Sequence, residues 1–275
     1  MTPRTEVEPR SKGLLTPSRI APAAPVSIAR HAAEGRAAAF VRHYWLPRWQ
    51  LPDGTSIRQD VLEYPTANLV VEEWSAALYR AHRGMSSRTL EGSGWALGVL
   101  LHPGVSRGWA GTSLRGLPPS VPLDRLPIGQ GAAGMVAAVR ERMADGDDAS
   151  AIAAFEAWLG GIPEPDDDAR LVDRIVAAVE QDRTLLRVEQ LADRFGLGVR
   201  HLQRLVAGHI GFGPKWLIQR YRLQEAAAAL RSSTPPPLAD LAAELGYADQ
   251  AHFSREFKSV IGSTPGAYTA AEGQE

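Results

Sequence analysis

Arg200, Gln203 and Arg204 stand at i, i+3 and i+4, so on a helix they share one face. Their side chains suit one kind of chemistry. A guanidinium donates a paired hydrogen bond to guanine, and a carboxamide matches adenine in the same way. His201 beside them, and Lys215 and Arg220 further along, add donors for phosphate oxygens. A second set of donors follows at Gln250, His252, Arg255 and Lys258, of which His252 and Lys258 are candidate phosphate contacts. The same chemistry at helical spacing, given twice, points to duplex DNA rather than to catalysis. The bland alternative is the solvated face of an ordinary helical hairpin, and the repetition weighs against it.

The elements that must position these residues are also written twice. LADRFGLGVRHLQRLVAGHIGFGPKWL runs from Leu191 to Leu217, and LAAELGYADQAHFSREFKSVIGSTPGAY from Leu241 to Tyr268. Leu191-Ala192 and Gly196 match Leu241-Ala242 and Gly246 at an offset of 50. Beyond the turn the offset is 51, so that Leu202, Arg204, Gly211 and Pro214 match Phe253, Arg255, Gly262 and Pro265. Self-similarity of this kind marks one supersecondary unit used twice. Leu191, Ala192 and Phe195 form the inner face of a short helix, and Gly196 supplies the left-handed turn that ends it. Leu202, Leu205 and Val206 give a second apolar face at i, i+3 and i+4. Two short helices about a glycine turn predict a helix-turn-helix, whose second helix lies in the major groove.

The tail resembles the double helix-turn-helix DNA-binding domain of the AraC/XylS family of bacterial transcription regulators. The residues that carry the resemblance are Leu191-Ala192, HLQRL at 201–205, GFGP at 211–214, YRLQEA at 221–226, LAAELGYADQAHFSREFK at 241–258 and GSTP at 262–265. It implies seven helices, two binding units in one chain and promoter DNA as partner. By the same resemblance the base-reading positions are Arg200, Gln203 and Arg204, then Gln250, Ala251 and Arg255, of which Ala251 offers only a methyl contact. A homodimer, RNA polymerase and a small-molecule effector are the further partners it brings to mind.

Charge divides the tail. From Thr184 to Arg231 there are eight Lys/Arg against three Asp/Glu, a surplus of +5; from Ser232 to Glu275 there are two against six, a deficit of −4. Phosphate attraction supplies most non-specific affinity, so the first unit is expected to anchor and read while the second reads weakly or meets a protein. The whole chain of 275 residues carries only −1. It has no cysteine, which excludes disulfides, thiolate zinc sites and a cysteine nucleophile. No apolar run reaches the ~18 residues of a membrane span, and no signal core opens the chain. No metal, cofactor or catalytic residue is expected, and the location is expected to be cytoplasmic.

In front of the tail the pattern changes. Prolines at 3, 9, 17, 22 and 25 among scattered arginines predict a disordered arm over residues 1–30. Residues 31–131 predict a β-rich sandwich or barrel, with strands near Ile57–Glu63, Asn68–Trp74 and Ser75–Arg80. By its position this is the candidate sensor. Trp45, Trp74 and Trp95 are candidate walls of an effector pocket, against the bland reading that they are core. His31, His43, His82 and His102 lack metal-ligand spacing.

LRGLPPSVPLDRLPIGQG at 114–131 predicts an extended closing segment. Helical stripes follow at Met135, Val136, Val139 and Met143 and at Ile152, Phe155, Trp158 and Leu159. They form a connector over residues 132–165 that either pairs two chains or packs on its own domain. GGIPEPDDD at 160–168 then marks the boundary to the DNA-binding part, residues 166–275. The expected class is α+β: a β-rich sensor, a helical connector and an all-α tail with two helix-turn-helix units. Two competing readings are a front enzyme fused to a DNA anchor and a tail that binds protein rather than DNA.

Overall fold

The computed structural model describes residues 26–232 and 234–272. Its amino-terminal unit is built on eight strands: β1 (Val26–Ala32), β2 (Val41–Gln50), β3 (Ser56–Val61), β4 (Asn68–Glu72), β5 (Ala76–Tyr79), β6 (Ser86–Glu91), β7 (Ser93–Leu101) and β8 (Ser120–Pro122). Six form one antiparallel sheet in the order β1-β2-β7-β4-β5-β8, and β3 pairs with β6 alone. The three strands expected from alternation lie where β3, β4 and β5 are found. The proline-rich segment, expected to be extended, is strand only at Ser120–Pro122, where it closes the sheet as β8 with Pro122 opposite Ala77 at the edge and a missing N–H costs no ladder bond; short 3-10 turns occupy Leu114–Gly116, Leu123–Arg125 and Pro127–Gly129. Residues 26–30, expected as part of an arm, are strand; the rest of that arm lies outside the described residues.

Alternation sorts β7 into two faces. Leu97, Val99 and Leu101 are fully buried in the main core. On the other face Gly98 lies under the Trp45 indole, and a Cβ built on Gly98 would stand 1.9 Å from the ring. Trp45 also donates Nε1–H to Asn68 Oδ1 at 3.2 Å.

The helices are α1 (Val105–Ala110), α2 (Ala133–Ala144), α3 (Asp148–Leu159), α4 (Asp167–Gln181), α5 (Val188–Arg194), α6 (Val199–Ile210), α7 (Pro214–Leu230), α8 (Leu238–Glu244), α9 (Gln250–Ile261) and α10 (Pro265–Glu272). The α2–α3 pair is not a free-standing connector. Met135, Val139, Met143, Ile152, Phe155 and Leu159 are buried in the same core as Leu97 and Val99. Of the two readings of these stripes, pairing two chains or packing on their own domain, the structure gives the second: their apolar area is taken up by the unit's own core.

The tail has two cores. The first joins α4 (Val172, Ile175, Val176) to Leu191, Leu202, Leu205 and Val206. The second joins Leu223, Ala226 and Leu230 of α7 to Leu241, Phe253, Phe257 and Tyr268. Among the described residues only α7 runs through both. Gly196 and Gly246 take φ of 63° and 72°, the left-handed geometry that ends α5 and α8 at equivalent places.

Candidate nucleic-acid interface

The first unit presents α6. Leu202, Leu205 and Val206 pin one side of this helix into the core, which turns Arg200, Gln203 and Arg204 outward, and all three are exposed. The Arg204 guanidinium lies 3.0 Å from Nδ1 of His201, so these two DNA-contact candidates lean on each other. Gly198 precedes the helix and offers no side-chain cap. The first N–H groups of α6 therefore have no acceptor from a capping side chain and carry the positive end of the helix dipole. Lys215 is exposed in the first turn of α7.

The second unit presents α9 through Phe253 and Phe257, both fully buried. Gln250, Ala251, His252, Arg255 and Lys258 are exposed. Here the helix start is closed: the Asp249 carboxylate accepts from the His252 N–H at 2.6 Å. Glu256, one turn on from His252, lies 3.7 Å from its ring nitrogen. Asp followed by Gln-Ala-His is a capping signal legible in the sequence, and a search for hydrogen-bond donors alone passes over it.

Arg220 is the clear departure among the phosphate-contact residues. It is 2% exposed, and its Nη2 donates to the carbonyl of His82, to that of Arg83 at 3.0 Å and to that of Gly84 at 3.3 Å. Burial holds its pKa down to about 10, with the Glu63 carboxylate pulling the other way. A side chain so enclosed does not reach a phosphate in this arrangement.

The three tryptophans chosen for an effector pocket part company. Trp74 is 87% exposed, in the turn after β4, so it walls nothing. Trp45 covers Gly98 as described. Trp95 does line an open groove between the strand ends and α2, together with Trp49, Arg48, Arg140, Glu73 and Glu141. Arg140 Nε donates to the Glu72 carbonyl at 2.9 Å, and Arg48 pairs with Asp148 at 2.5 Å. Among the described residues no group of three His, Cys, Asp or Glu side chains has the arrangement to hold a metal ion, and no helix is long and apolar enough to cross a membrane.

A family model described as a helix-turn-helix domain matches residues 191–271. A second, described as a domain of unknown function (DUF6597), matches residues 30–120. An uncharacterized HTH-type transcriptional regulator of Haemophilus influenzae is 34% identical over 101 residues, which are 37% of this chain and 34% of that protein. The HTH-type transcriptional activator RhaS of Escherichia fergusonii is 35% identical over 98 residues, 36% of this chain and 35% of that one. A putative AraC-like transcription regulator of Streptomyces lividans is 29% identical over 116 residues, 42% of this chain and 36% of that one. The match thus spans about a third of the length of these relatives. The repeat, its two glycine turns, its paired exposed faces and these matches converge on one statement: the carboxy-terminal part of this chain is a helix-turn-helix domain of the AraC family.

Proposed function

We propose that the chain is a sequence-specific DNA-binding transcription regulator whose amino-terminal unit receives a signal. The observation that carries this is the pair of registered units, each turning arginine and glutamine outward from a helix whose other side is core. In this reading residues from Asp166 onward bind duplex promoter DNA, with α6 and α9 in successive major grooves ~10 bp apart. Arg200, Gln203, Arg204, Gln250 and Arg255 read bases; His201, Lys215, His252 and Lys258 contact phosphates.

The work is shared unequally. The open start of α6 favours an approaching phosphate, whereas the Asp249 carboxylate at the start of α9 repels one. The acidic second unit then suits a protein partner such as RNA polymerase. The groove at Trp95 and Trp49 is the place for a small effector with a flat apolar body and charged ends, since both carboxylates and guanidinium groups line it. An effector acts only through unequal affinity for two states of the protein. The location that goes with this function is the cytoplasm. No observation favours a catalytic role for the amino-terminal unit.

The test is selection of sites from random duplex DNA by the full-length protein. Two enriched boxes, or one box assigned to α6 by its loss in Arg204→Ala, support the reading. Enrichment of nothing, with salt-insensitive retention of all duplexes, sinks it.

A further inference from the structure

The amino-terminal unit touches both helix-turn-helix units, and it does so without covering either reading face. Against the first unit, Gly104 donates its N–H to Asp173 of α4 at 2.8 Å, and Arg42 pairs with Glu180 at 2.9 Å with both side chains mostly out of water. Against the second unit, Leu62 is fully buried in the core that holds Leu223 and Phe253, and Met85 packs on the same core. Gly84 approaches the carbonyl of Val260 at the end of α9. Arg200, Gln203, Arg204, Gln250 and Arg255 all remain exposed in this arrangement.

Between the two contacts sits Arg220, in the middle of the one helix that both units share. Its guanidinium lies 4.8 Å from the Trp216 ring centroid. Trp216 stacks on Phe212 at 4.3 Å, and Arg83 and Arg80 of the opposite unit lie over Phe212 at 5.1 and 5.6 Å. The far end of Arg220 is held by three successive carbonyls of the 82–84 turn. None of these hydrogen bonds reaches a carboxylate, and its Nη1 is buried without a hydrogen-bond partner among the described residues. A buried cation whose hydrogen bonds all go to carbonyls is a poor way to gain stability, because an apolar side chain of like volume avoids the desolvation cost. It is a good way to fix orientation, because three consecutive acceptors define both the position and the tilt of the turn against α7.

We propose that the amino-terminal unit is a splint across the two helix-turn-helix units, seated by Arg220 as a positioning residue, and that it sets the spacing between the two DNA boxes the chain accepts. The proposal rests on the DNA-binding reading above. Without the splint, α7 alone relates the two reading helices, and flexing of its single rod lets their separation drift. With it, each unit is braced at a second point.

The test uses full-length wild type, Arg220→Met and Arg220→Lys on the selected site and on copies with the box separation changed by one or two base pairs. Wild type should lose about tenfold in affinity at each altered spacing, the size of an ordinary coupling between sites. Both variants should bind the parent site more weakly yet lose about threefold or less on the altered ones, which is below that coupling range. A uniform weakening with an unchanged spacing profile overturns the proposal, since damage to folding alone moves every site alike. If both variants fail to fold, Met85→Ala loosens the second-unit contact with Arg220 intact, and the same flattening is expected. If wild type selects a single box, amide hydrogen exchange decides the splint; if it selects no DNA, the functional reading fails and the same measurement decides. Arg220→Met must then raise exchange together at residues 82–85, at the end of α6 and at the end of α9; a rise at 82–85 alone overturns it.

Discussion

Asp249 accepts the His252 backbone N–H at 2.6 Å, and the equivalent place before α6 is Gly198, which accepts nothing through a side chain. One helix start is shut by a carboxylate and the other is open. Asn caps a helix as well as Asp does but carries no charge to repel phosphate. Asp249→Asn should therefore leave the melting temperature unchanged and strengthen DNA binding severalfold at low salt. Asp249→Ala should lose about 1 kcal/mol of stability, read by chemical denaturation. Equal DNA affinity in wild type and the Asn variant would remove the carboxylate from the account of unequal work.

Arg204 and Arg255 occupy the same register in the two units and are both exposed. Loss of a bidentate contact to a base costs about 1–3 kcal/mol. Arg204→Ala should fall in that range, and Arg255→Ala below it, by anisotropy titration on the selected site. An equal loss in the two variants contradicts the division of labour.

Gly98 sits under Trp45, with room for no Cβ. Gly98→Ala has to move an indole that is also held by Asn68, and overpacking of this kind costs about 1–3 kcal/mol. The expected result is a lower melting temperature with a shifted tryptophan emission, and unaltered emission would mean that the ring yields freely.

His43 and His102 are pushed down to about 4 from 6.5, His43 by burial and the Arg30 and Arg42 cations and His102 by burial and Arg42. Asp173 is pushed up to about 6 from 3.8 by burial, against the pull of the Gly104 N–H and Arg42. A histidine with a lowered folded pKa contributes stability above its unfolded value that is lost as pH falls toward 4. An aspartate with a raised folded pKa contributes stability at low pH that is lost as pH rises through 6. Two groups outweigh one, so the melting temperature should fall on going from pH 6.5 to pH 4. Asp173→Asn should steepen that fall, and His43→Gln with His102→Gln should reverse it. A flat profile in wild type would mean that water reaches these side chains.

The tail was legible because its constraints are local and repeated. Gly196 and Gly246, Pro214 and Pro265, and the stripe at Leu202, Leu205 and Val206 each state a turn, a start or a face within a few residues. The strands β3 to β5 were legible for the same reason. What escaped was decided at a distance. Nothing near Arg220 in sequence says that a turn 136 to 138 residues away covers it. Charge on a helix predicts a phosphate contact only if the surroundings stay wet. Trp74 and Trp95 likewise share a residue type and differ only in which way a turn or a strand aims them. The α2 and α3 stripes are plain in their spacing, and the sheet that receives them is not visible from that spacing.

The two units differ in charge and in how their reading helices begin. A duplex site filled by one chain therefore has a front and a back. Turning the site around exchanges the basic unit for the acidic one and carries the amino-terminal unit to the other end. On the proposed function, such a chain would sense the polarity of its promoter: a site of the same sequence facing the opposite way relative to the transcription start would present a different surface to whatever assembles there.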